Sequence, residues 1–397
     1  MLMWQPTLPD LYRELSDEAL EIGIRDRKAE LGDKLIILGH HYQTDRVIRH
    51  ADFTGDSLKL SQLAAEAVEK QNASYVIFCG VHFMAESADL LAPEGTAVVL
   101  PDLSAGCSMA DMADYDDALE AWDTLHAELK SQGFEGRVVP VTYVNSSAAI
   151  KAFVGMNDGA CCTSSNAAKV FEWAMNGGAT PRSDGEEIKL LFLPDQHLGR
   201  NTAAAYGLDV ASETAVYDPK LARKGEALGG MTPEQLAAAK VVLWAGHCSV
   251  HKLFRPEHCE QIKQESPETT IIVHPECAKE VVDLADMAGS TEYIINAIRT
   301  AEPGTKWAIG TEHNLVARLC TEAAERGVEA RILSDCQCLC TTMYRIDEPH
   351  LLWVLDNLAE GKVVNQISVH AEAREFAVAA LDRMLELKVT VPLSAKG

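Results

Sequence analysis

The sequence predicts an α/β protein built from three units of small parallel β-sheet with flanking helices. Short apolar runs, each ended by polar residues, recur in the same order three times along the 397 residues. Stretches with helical periodicity separate these runs. Near-continuous apolar strands that alternate with helices are typical of parallel sheets covered on both faces. We therefore expect a triplicated α/β architecture.

Each unit contains three recognisable strands, and each strand ends in a distinctive polar sequence. The first strands are KLIILGHHYQ, RVVPVTYVNSS and TTIIVHPEC; the second are YVIFCGVHFMAES, IKLLFLPDQHLGRN and KWAIGTEHNL; the third are TAVVLPDLSAGC, AKVVLWAGHC and EARILSDCQCLC. In parallel sheets functional groups gather at the carboxyl ends of the strands. These polar ends are therefore the predicted location of the functional site.

The spacing between strand ends supports a common plan. From the polar end of the first strand to the cysteine after the third strand there are 67 residues in the first unit, 66 in the third and 105 in the middle one. The extra length of the middle unit predicts an insertion at about 200–240. The predicted units are 30–118, 119–249 and 250–345, with two C-terminal helices in 346–390 packing back on the first unit.

Composition and charge exclude several classes of protein. A net charge of −24 argues against nucleic-acid binding, because a phosphate backbone would be repelled. No window approaches 18 uninterrupted apolar residues, so no membrane span is expected. The first residues lack a basic start followed by an apolar run, so we expect no secretory signal and a cytoplasmic location. The 11 cysteines are then expected to be reduced, as core residues or metal ligands.

A small hydroxyl residue opens the first helix of each unit, at Ser57, Ser164 and Thr291. Any one of these residues is most simply interpreted as a helix N-cap. Three such helix starts directed at a shared centre would also present N–H groups and positive dipole ends to an anionic ligand. The two interpretations remain open at this point.

Cys107, Cys248 and Cys340 occupy equivalent positions after the third strand of each unit. Three thiolates that converge favour an iron–sulfur cluster over structural zinc, which needs four ligands and usually CxxC pairs. A [4Fe–4S] cluster with three cysteine ligands leaves one iron open as a Lewis acid. These three residues are the predicted metal ligands.

The remaining cysteines carry a weaker signal. Cys336 and Cys338 alternate with Cys340, so on a strand the three thiols would share a face. A redox role for Cys336 and Cys338 and mere proximity to the ligand are equally supported. We interpret the others as packing residues: Cys79, Cys161, Cys162, Cys259, Cys277 and Cys320.

Taken together, these blocks resemble the quinolinate synthase family in its longer form, in order from about residue 30 to about 350. The blocks are GHHYQTDRVIRHADFTGDSLKLS, FCGVHFMAESADLL, GCSMAD, TYVNSSAAIKA, CCTSSNA, GHCSVH, VHPEC, AGSTEYII, WAIGTEHNLVARL and CxCxxMYRID. The resemblance implies three pseudo-symmetric three-layer α/β domains around a central [4Fe–4S] cluster and active site. It also implies condensation of iminoaspartate with dihydroxyacetone phosphate, with loss of phosphate and two waters, to give quinolinate for NAD biosynthesis.

The resemblance assigns roles to individual residues. It places the cluster on Cys107, Cys248 and Cys340, the last because it stands three residues before Met343. The family's three loop pairs match the residues that follow the first strands: His40 and Tyr42, Tyr143 and Asn145, and His274 and Glu276. The family residues that help bind carboxylates and phosphate match the helix starts Ser57, Ser164 and Thr291. An aspartate oxidase or dehydrogenase that supplies iminoaspartate is the expected functional partner.

The sequence offers several groups for proton transfer. The predicted catalytic residues are Tyr42, Tyr143, His274 and Glu276, with His40 as a further candidate. Which of them is the base at each step is left open. Other histidines near the strand ends are only neighbouring candidates: His41, His82, His197, His247, His251 and His313.

Three other functions are weighed against this one. An iron–sulfur hydro-lyase would also use three cysteines and an open iron, but it would not need a triose phosphate. A non-enzymatic iron–sulfur redox sensor could use the sequence DCQCLC as its switch, but it would not need three anion sites. A zinc scaffold is the weakest alternative. The oligomeric state and the role of the 200–240 insertion are not predicted.

Overall fold

In the residues that the structure describes, three small β-sheets form the framework, and each consists mainly of parallel strands. The computed structural model describes residues 5–57, 59–60, 63, 73–335 and 338–387. Helices connect successive strands in all three sheets. The predicted α/β class, with small parallel sheets and flanking helices, is confirmed.

The first sheet has the strand order β14-β4-β3-β1-β2. Its neighbours pair in parallel, except that β14 is antiparallel to β4. Every residue of β1 is buried, as expected for a leucine- and isoleucine-rich strand covered on both faces. The strands are β1 (Leu35–His40), β2 (Phe53–Gly55), β3 (Tyr75–Cys79), β4 (Ala97–Val99) and β14 (Gln366–Ile367).

The second and third sheets consist of parallel strands, in the orders β6-β5-β7-β9-β8 and β11-β10-β12-β13. The second sheet contains β5 (Arg137–Tyr143), β6 (Ala160–Cys162), β7 (Ile188–Leu193), β8 (Thr214–Tyr217) and β9 (Val241–Trp244). The third contains β10 (Thr270–Val273), β11 (Met287–Ala288), β12 (Lys306–Gly310) and β13 (Glu329–Ile332).

All three sheets share one topology. In each, the first strand lies between a short second strand and the third strand, and a fourth strand pairs with the third. Two further strands, β14 and β8, add to the outer edge of the fourth strand in the first and second sheets. The triplication inferred from the sequence is therefore present in the strand order. The short second strands (β2, β6 and β11) and the added strands β8 and β14 are the parts that the sequence analysis did not find.

The chain divides into two compact units. The first contains residues 1–107, 313–315 and 339–371, and it holds the first sheet. The second contains 108–312, 316–338 and 372–397, and it holds the second and third sheets. The two predicted C-terminal helices thus fall into different units, and the predicted three-domain boundaries stay a prediction. No helix in the described ranges combines the length and apolar content needed to cross a membrane.

The helices of the first unit are α1 (Asp10–Arg13), α2 (Asp17–Leu31), α3 (Asp45–Ile48), α4 (His82–Leu91) and α15 (Glu348–Ala359). The second unit holds α5 (Tyr115–Ser131), α6 (Ala148–Met156), α7 (Ala167–Met175), α8 (Gln196–Tyr206), α9 (Pro219–Ala222), α10 (Pro233–Ala238), α11 (Pro256–Glu265), α12 (Lys279–Leu284), α13 (Thr291–Arg299), most of α14 (His313–Ala324) and nearly all of α16 (Ala371–Glu386). Short 3₁₀ turns occur at Gly32–Lys34, Ala110–Met112, His251–Leu253 and Met343–Arg345.

A buried carboxylate ties α15 to the rest of the first unit. Glu348 is 2% exposed, and side-chain nitrogens of Arg46, Arg49 and His50 lie 2.8–2.9 Å from its carboxylate oxygens. Burial alone would raise the pKa of Glu348, but the hydrogen bonds from these three residues outweigh it and lower that pKa. A buried charge needs such partners to be stable. This ion network attaches α15 to α3 and to the two residues that follow it.

Helix α16 is attached inside the second unit. The side-chain amide of Asn166 donates to the backbone carbonyls of Met384 and Leu387, at 3.0 and 3.2 Å. A glycine at position 155 of α6 permits close approach, because a Cβ there would collide with the backbone of Phe376. The helix is therefore held by specific polar contacts as well as by its apolar face.

Candidate active site

The carboxyl end of β1 carries the first pair of predicted site residues. His40 is the last residue of the strand and is buried. Its Nδ1 accepts a hydrogen bond from the backbone N–H of Tyr42 at 3.1 Å, and the two rings meet edge to face with centroids 4.6 Å apart. Because Nδ1 is an acceptor, the proton of the neutral imidazole lies on Nε2. His40 can therefore present Nε2–H as a donor.

Two side chains of the first unit hold the loop after β1. Nδ2 of Asn314 donates to the backbone carbonyl of Tyr42 at 3.1 Å. Nε2 of Gln43 lies 3.5 Å from Sδ of the buried Met343. Met343 stands three residues after Cys340, so the loop with this predicted ligand is attached to the loop after β1.

The carboxyl end of β10 repeats the same arrangement. His274 follows the strand directly and is 2% exposed, and Glu276 is 3% exposed. Nδ1 of His274 accepts from the backbone N–H of Glu276 at 3.3 Å. The neutral ring of His274 therefore also carries its proton on Nε2. Two of the three predicted loop pairs thus share one hydrogen-bonding pattern.

Glu276 is the centre of a buried network in the second unit. The hydroxyl of Tyr143 donates to its Oε1 at 2.6 Å, and Nδ1 of His251 lies 2.9 Å from its Oε2. Nδ1 of His274 lies 3.8 Å from Oε1. Burial opposes ionisation of Glu276, but the neighbouring His251 and the hydrogen bonds from His251 and Tyr143 outweigh it and lower its pKa. The carboxylate is therefore ionised and acts as an acceptor.

His251 and His274 pack against each other inside this network. Their rings stack with centroids 4.5 Å apart and planes at 16°. Nε2 of His251 lies 3.2 Å from Oγ1 of the buried Thr311, just beyond β12. Burial and the neighbouring His251 lower the pKa of His274 to about 3. His274 is therefore neutral near pH 7 and keeps its Nε2–H.

Two polar residues of the PDQHLGRN segment support the loop that carries Glu276. Nδ2 of Asn201, on α8, donates to the carbonyls of Pro275 and Cys277 at 2.8 and 2.9 Å. Oδ1 of Asp195 caps α8 by accepting two backbone N–H groups at 2.7 and 2.9 Å. Burial, followed by the charge of Glu276, raises the pKa of Asp195 well above its usual range. The backbone on both sides of Glu276 is thus fixed by a buried amide.

The predicted hydroxyl residues lie at or just before helix starts. Asp56 caps the helix that begins at Ser57, because its Oδ1 accepts the N–H of residue 59 at 2.9 Å. Ser290 caps α13, and Thr291 is the first helical residue after it. Ser164 lies in a turn three residues before α7. At the first and third sites the residue before the predicted one is therefore the N-cap.

The loop after β5 holds Tyr143 and Asn145. The hydroxyl of Tyr143 contacts Glu276, as described above, while Ser147 caps α6. Oδ1 of Asn145 is buried and has no hydrogen-bond partner in the described part of the chain. Because an unsatisfied buried carbonyl is costly, this oxygen fits a hydrogen bond to a bound ligand.

The three predicted ligand cysteines differ from most of the other cysteines. Cys107, Cys248 and Cys340 lie in loops beyond β4, β9 and β13 and are half-buried. Burial raises the pKa of a group of strand, loop and helix cysteines: Cys79, Cys161, Cys162, Cys259, Cys277 and Cys320. The three predicted ligands thus have partly exposed thiols in strand-end loops.

Cys248 borders the Glu276 network. Its Sγ, a ring nitrogen of His251 and a carboxylate oxygen of Glu276 all lie within 4.8 Å of one another. Cys338 is buried, with Sγ 3.4 Å from Oγ of Ser334. Cys336 lies outside the described residues, so the proposed redox role of Cys336 and Cys338 stays a prediction.

Sequence reasoning did not identify three members of the site. It named His251 only as a neighbouring histidine, and it did not select Asn201 or Thr311. All three follow predicted strand ends, in GHCSVH, PDQHLGRN and GTEH, which was the available signal. Only the folded chain shows that His251 contacts the Glu276 carboxylate, that Thr311 contacts His251, and that Asn201 contacts the backbone beside Glu276.

The fold and site define an α/β protein in which tyrosine, carboxylate and imidazole groups meet at strand ends next to a thiol. A family model described as "Quinolinate synthetase A protein" (NadA) matches residues 23–386. The chain therefore belongs to the quinolinate synthase family, which consists of enzymes of NAD biosynthesis. This confirms the resemblance seen in the sequence.

Curated relatives agree over nearly the full chain. The quinolinate synthase of Acidobacterium capsulatum is 51% identical over 379 residues, or 96% of each chain. That of Herpetosiphon aurantiacus is 51% identical over 377 residues, covering 95% of this chain and 94% of the relative. That of a Nocardioides species is 52% identical over 373 residues, covering 94% of this chain and 90% of the relative.

Proposed function

We propose that this chain is a quinolinate synthase that condenses iminoaspartate with dihydroxyacetone phosphate, releasing phosphate and two waters. The observation that carries the proposal is the buried network of Tyr143, His251 and His274 around Glu276, in a chain about half identical to enzymes of that name. The reaction needs proton transfer and anion binding, and both kinds of group are present at the strand ends.

Cys107, Cys248 and Cys340 would hold a [4Fe–4S] cluster as its three protein ligands. When bound, the cluster supplies an open iron that acts as a Lewis acid on a substrate oxygen or nitrogen. The support is their equivalent place after the fourth strand of each sheet and their half-buried state.

Proton transfer is assigned to the pair of Tyr143 and Glu276. The phenolic oxygen of Tyr143 takes a proton from the substrate while its own proton moves along the 2.6 Å hydrogen bond to Oε1 of Glu276. The proton returns by the same route to a leaving hydroxyl. Because the carboxylate is ionised beforehand, it can receive this proton. Tyr42 is the proposed second acid–base group.

Binding is assigned to the donors and acceptors at the strand ends. His40 and His274 each present an Nε2–H that suits a substrate carboxylate. Oδ1 of Asn145 suits a substrate N–H or O–H. The helix-start residues Ser57, Ser164 and Thr291 would bind the carboxylates and phosphate, because helix N-termini favour anions.

The cellular setting follows from the substrates. We propose a cytoplasmic enzyme that receives iminoaspartate from an aspartate oxidase or dehydrogenase. The net charge of −24 is consistent with small-molecule substrates rather than nucleic acid.

The test is an anaerobic assay of the purified chain with iminoaspartate and dihydroxyacetone phosphate, following quinolinate and phosphate together. Equal amounts of the two products are expected. An iron–sulfur hydro-lyase would release no phosphate, and a redox sensor would show no turnover. Either of these results would refute the proposal.

A further inference from the structure

The third sheet ends in an edge strand that no other strand of the described chain covers. In the first and second sheets the fourth strand is covered on its outer side by β14 and by β8. In the third sheet the fourth strand, β13, is the last one, and its residues Glu329 and Arg331 are exposed. An uncovered edge presents unpaired N–H and C=O groups that readily pair with another strand. Among the described residues, one of three equivalent edges therefore lacks the strand that covers the other two.

The hydrogen bonds of β13 determine which of its backbone groups face outward. The N–H groups of Glu329 and Leu333 donate, at 3.0 and 2.9 Å, to carbonyls of β12 and of the residue before it. Alternate residues of a strand direct their backbone groups to opposite neighbours, so Ala330 and Ile332 direct theirs to the open edge. Neither position is proline, so each has an N–H that can donate to a further strand.

Open space lies along this edge. A cavity of about 610 Å³ is lined by Lys306 and Trp307 of β12, by Glu329 and Arg331 of β13, and by parts of α11 and α14. A smaller cavity of about 190 Å³ also borders Arg331 and extends to Leu333, just beyond the strand. The edge therefore borders a groove along its length, and a further strand can approach it.

The charges on β13 favour a second copy of the same strand as the occupant. In an antiparallel pair centred on Ala330, the outward N–H and C=O of this residue bond to the same two groups of the other copy. Glu329 of each copy then lies opposite Arg331 of the other, once on each side of the two-fold axis. A register that pairs Ala330 with Ile332 would instead place the two Arg331 side chains opposite each other, which is destabilising. The edge is therefore complementary to itself in the register centred on Ala330.

The contacts of these charges within the chain do not prevent such pairing. The guanidinium of Arg331 lies 2.9 Å from a carboxylate oxygen of Asp335, and Glu329 lies 4.0 Å from the ammonium of Lys306. All four side chains are at least 38% exposed. Exposed ion pairs contribute little to stability, so Glu329 and Arg331 can exchange these partners for each other across the axis.

We propose that this chain forms a two-fold symmetric homodimer in which β13 pairs antiparallel with β13 of a second copy. Two sheets of four strands each thereby become one continuous sheet. The closed symmetry satisfies the open edge in both copies at once and leaves no edge on that side for further growth. The dimer does not depend on the proposed reaction, because no residue of β13 belongs to the Glu276 network.

The first test is the molar mass in solution, from light scattering after gel filtration of anaerobically purified protein. The wild type should have about twice the 43.2 kDa of one chain. Ala330→Pro removes an outward N–H and leaves the hydrogen bonds to β12 in place, because those come from the residues on either side. We expect this variant to be a monomer whose thermal unfolding stays cooperative.

Charge reversal tests the register without a change to the backbone. Glu329→Arg and Arg331→Glu each place like charges opposite one another, so each should weaken the dimer about tenfold. The double variant restores opposite charges and should dimerise like the wild type. An equimolar mixture of the two single variants should form mixed dimers more tightly than either variant pairs with itself. Asp184→Arg, at an exposed residue outside the third sheet, is the matched control and should leave the mass unchanged.

Three results would overturn the proposal. A wild type that stays monomeric as its concentration is raised would exclude the dimer. A dimer that survives Ala330→Pro and both single charge reversals would place the interface elsewhere. A monomeric wild type that dimerises once residues 388–397 are removed would assign the edge to the C-terminal segment of the same chain.

Discussion

The loops after β1 and β10 have the same backbone but different chemistry. In both, a histidine at the strand end accepts the N–H of the residue two positions on, at 3.1 Å for His40 and 3.3 Å for His274. In both, the next N–H closes a turn on the histidine carbonyl, at 2.9 and 3.0 Å. The residue two positions on is Tyr42 in the first loop and Glu276 in the third.

This difference separates the scaffold from the reactive group. The repeated turn holds an imidazole in one tautomer, with Nε2–H directed away from the loop backbone. The variable position then carries either a half-buried phenol or a buried carboxylate. Two of the three repeated loops thus keep the imidazole constant, while the residue two positions on differs between them.

The largest effect is expected at the carboxylate. Glu276→Gln removes the acceptor for the Tyr143 proton and breaks the contact with His251, so kcat should fall by roughly 10²–10⁴. Steady-state kinetics of quinolinate formation measure this. The matched control is Glu280→Gln, an exposed change four residues away that should leave kcat unaltered. A loss in Glu276→Gln below about tenfold would show that the carboxylate is not part of the proton route.

The equivalent change in the first loop is expected to have a smaller effect. Tyr42→Phe removes a single hydroxyl, so we expect a loss of about 100-fold in kcat, which is the lower end for general acid–base groups. Tyr344→Phe, at a residue that is 60% exposed, is the control. Activity equal to that of the wild type in Tyr42→Phe would remove the phenol from the mechanism.

The shared tautomer predicts a third, smaller effect. Glutamine can place its amide near Nε2 of a histidine, whereas asparagine reaches only Nδ1. We expect His274→Gln to be about tenfold more active than His274→Asn, and His40→Gln to exceed His40→Asn similarly, because a single donor to a charged ligand contributes about 1.5–3 kcal/mol. The reverse order in either pair, measured as kcat/KM, would disprove the assigned tautomer at that loop.

The smallest effect concerns stability. The pKa of His274 is lowered from 6.5 to about 3 by burial, so the unfolded chain binds this proton first as the pH falls. The neutral His274 therefore makes its full contribution to the free energy of unfolding above pH 6.5, and this contribution is lost as the pH falls toward 3. Each unit by which the pH falls in this range lowers the free energy of unfolding by up to about 1.4 kcal/mol.

Urea unfolding between pH 7 and pH 5 measures this loss. The curve of unfolding free energy against pH should be flatter in His274→Gln than in the wild type. His370→Gln changes an exposed histidine and serves as the control. Identical slopes for the wild type and His274→Gln would show that His274 does not stay neutral in the folded state.

The fold was largely predictable because its main strands are long apolar runs with polar ends. The short strands β2, β6 and β11 were not, since two or three residues carry no periodicity and form a strand only by pairing with a neighbour. The edge strand β14 was missed for the same reason.

The site was predictable one residue at a time but not as a network. Strand-end position and family resemblance selected Tyr143, His274 and Glu276. The contacts of His251 and Asn201 with the loop of Glu276 join segments that are 25 to 76 residues apart. A single sequence contains no information on such pairings. The N-caps Asp56 and Ser290 were each misplaced by one residue, within the usual uncertainty of helix starts.

The most direct test of the central claim is the iron and sulfide content of anaerobically purified protein. The wild type should contain about four iron and four sulfide per chain. Each serine variant of Cys107, Cys248 and Cys340 should lose the cluster, while Cys320→Ser should keep it. A full cluster in Cys340→Ser, together with its loss in Cys338→Ser, would contradict the assignment of one ligand to each of the three repeats.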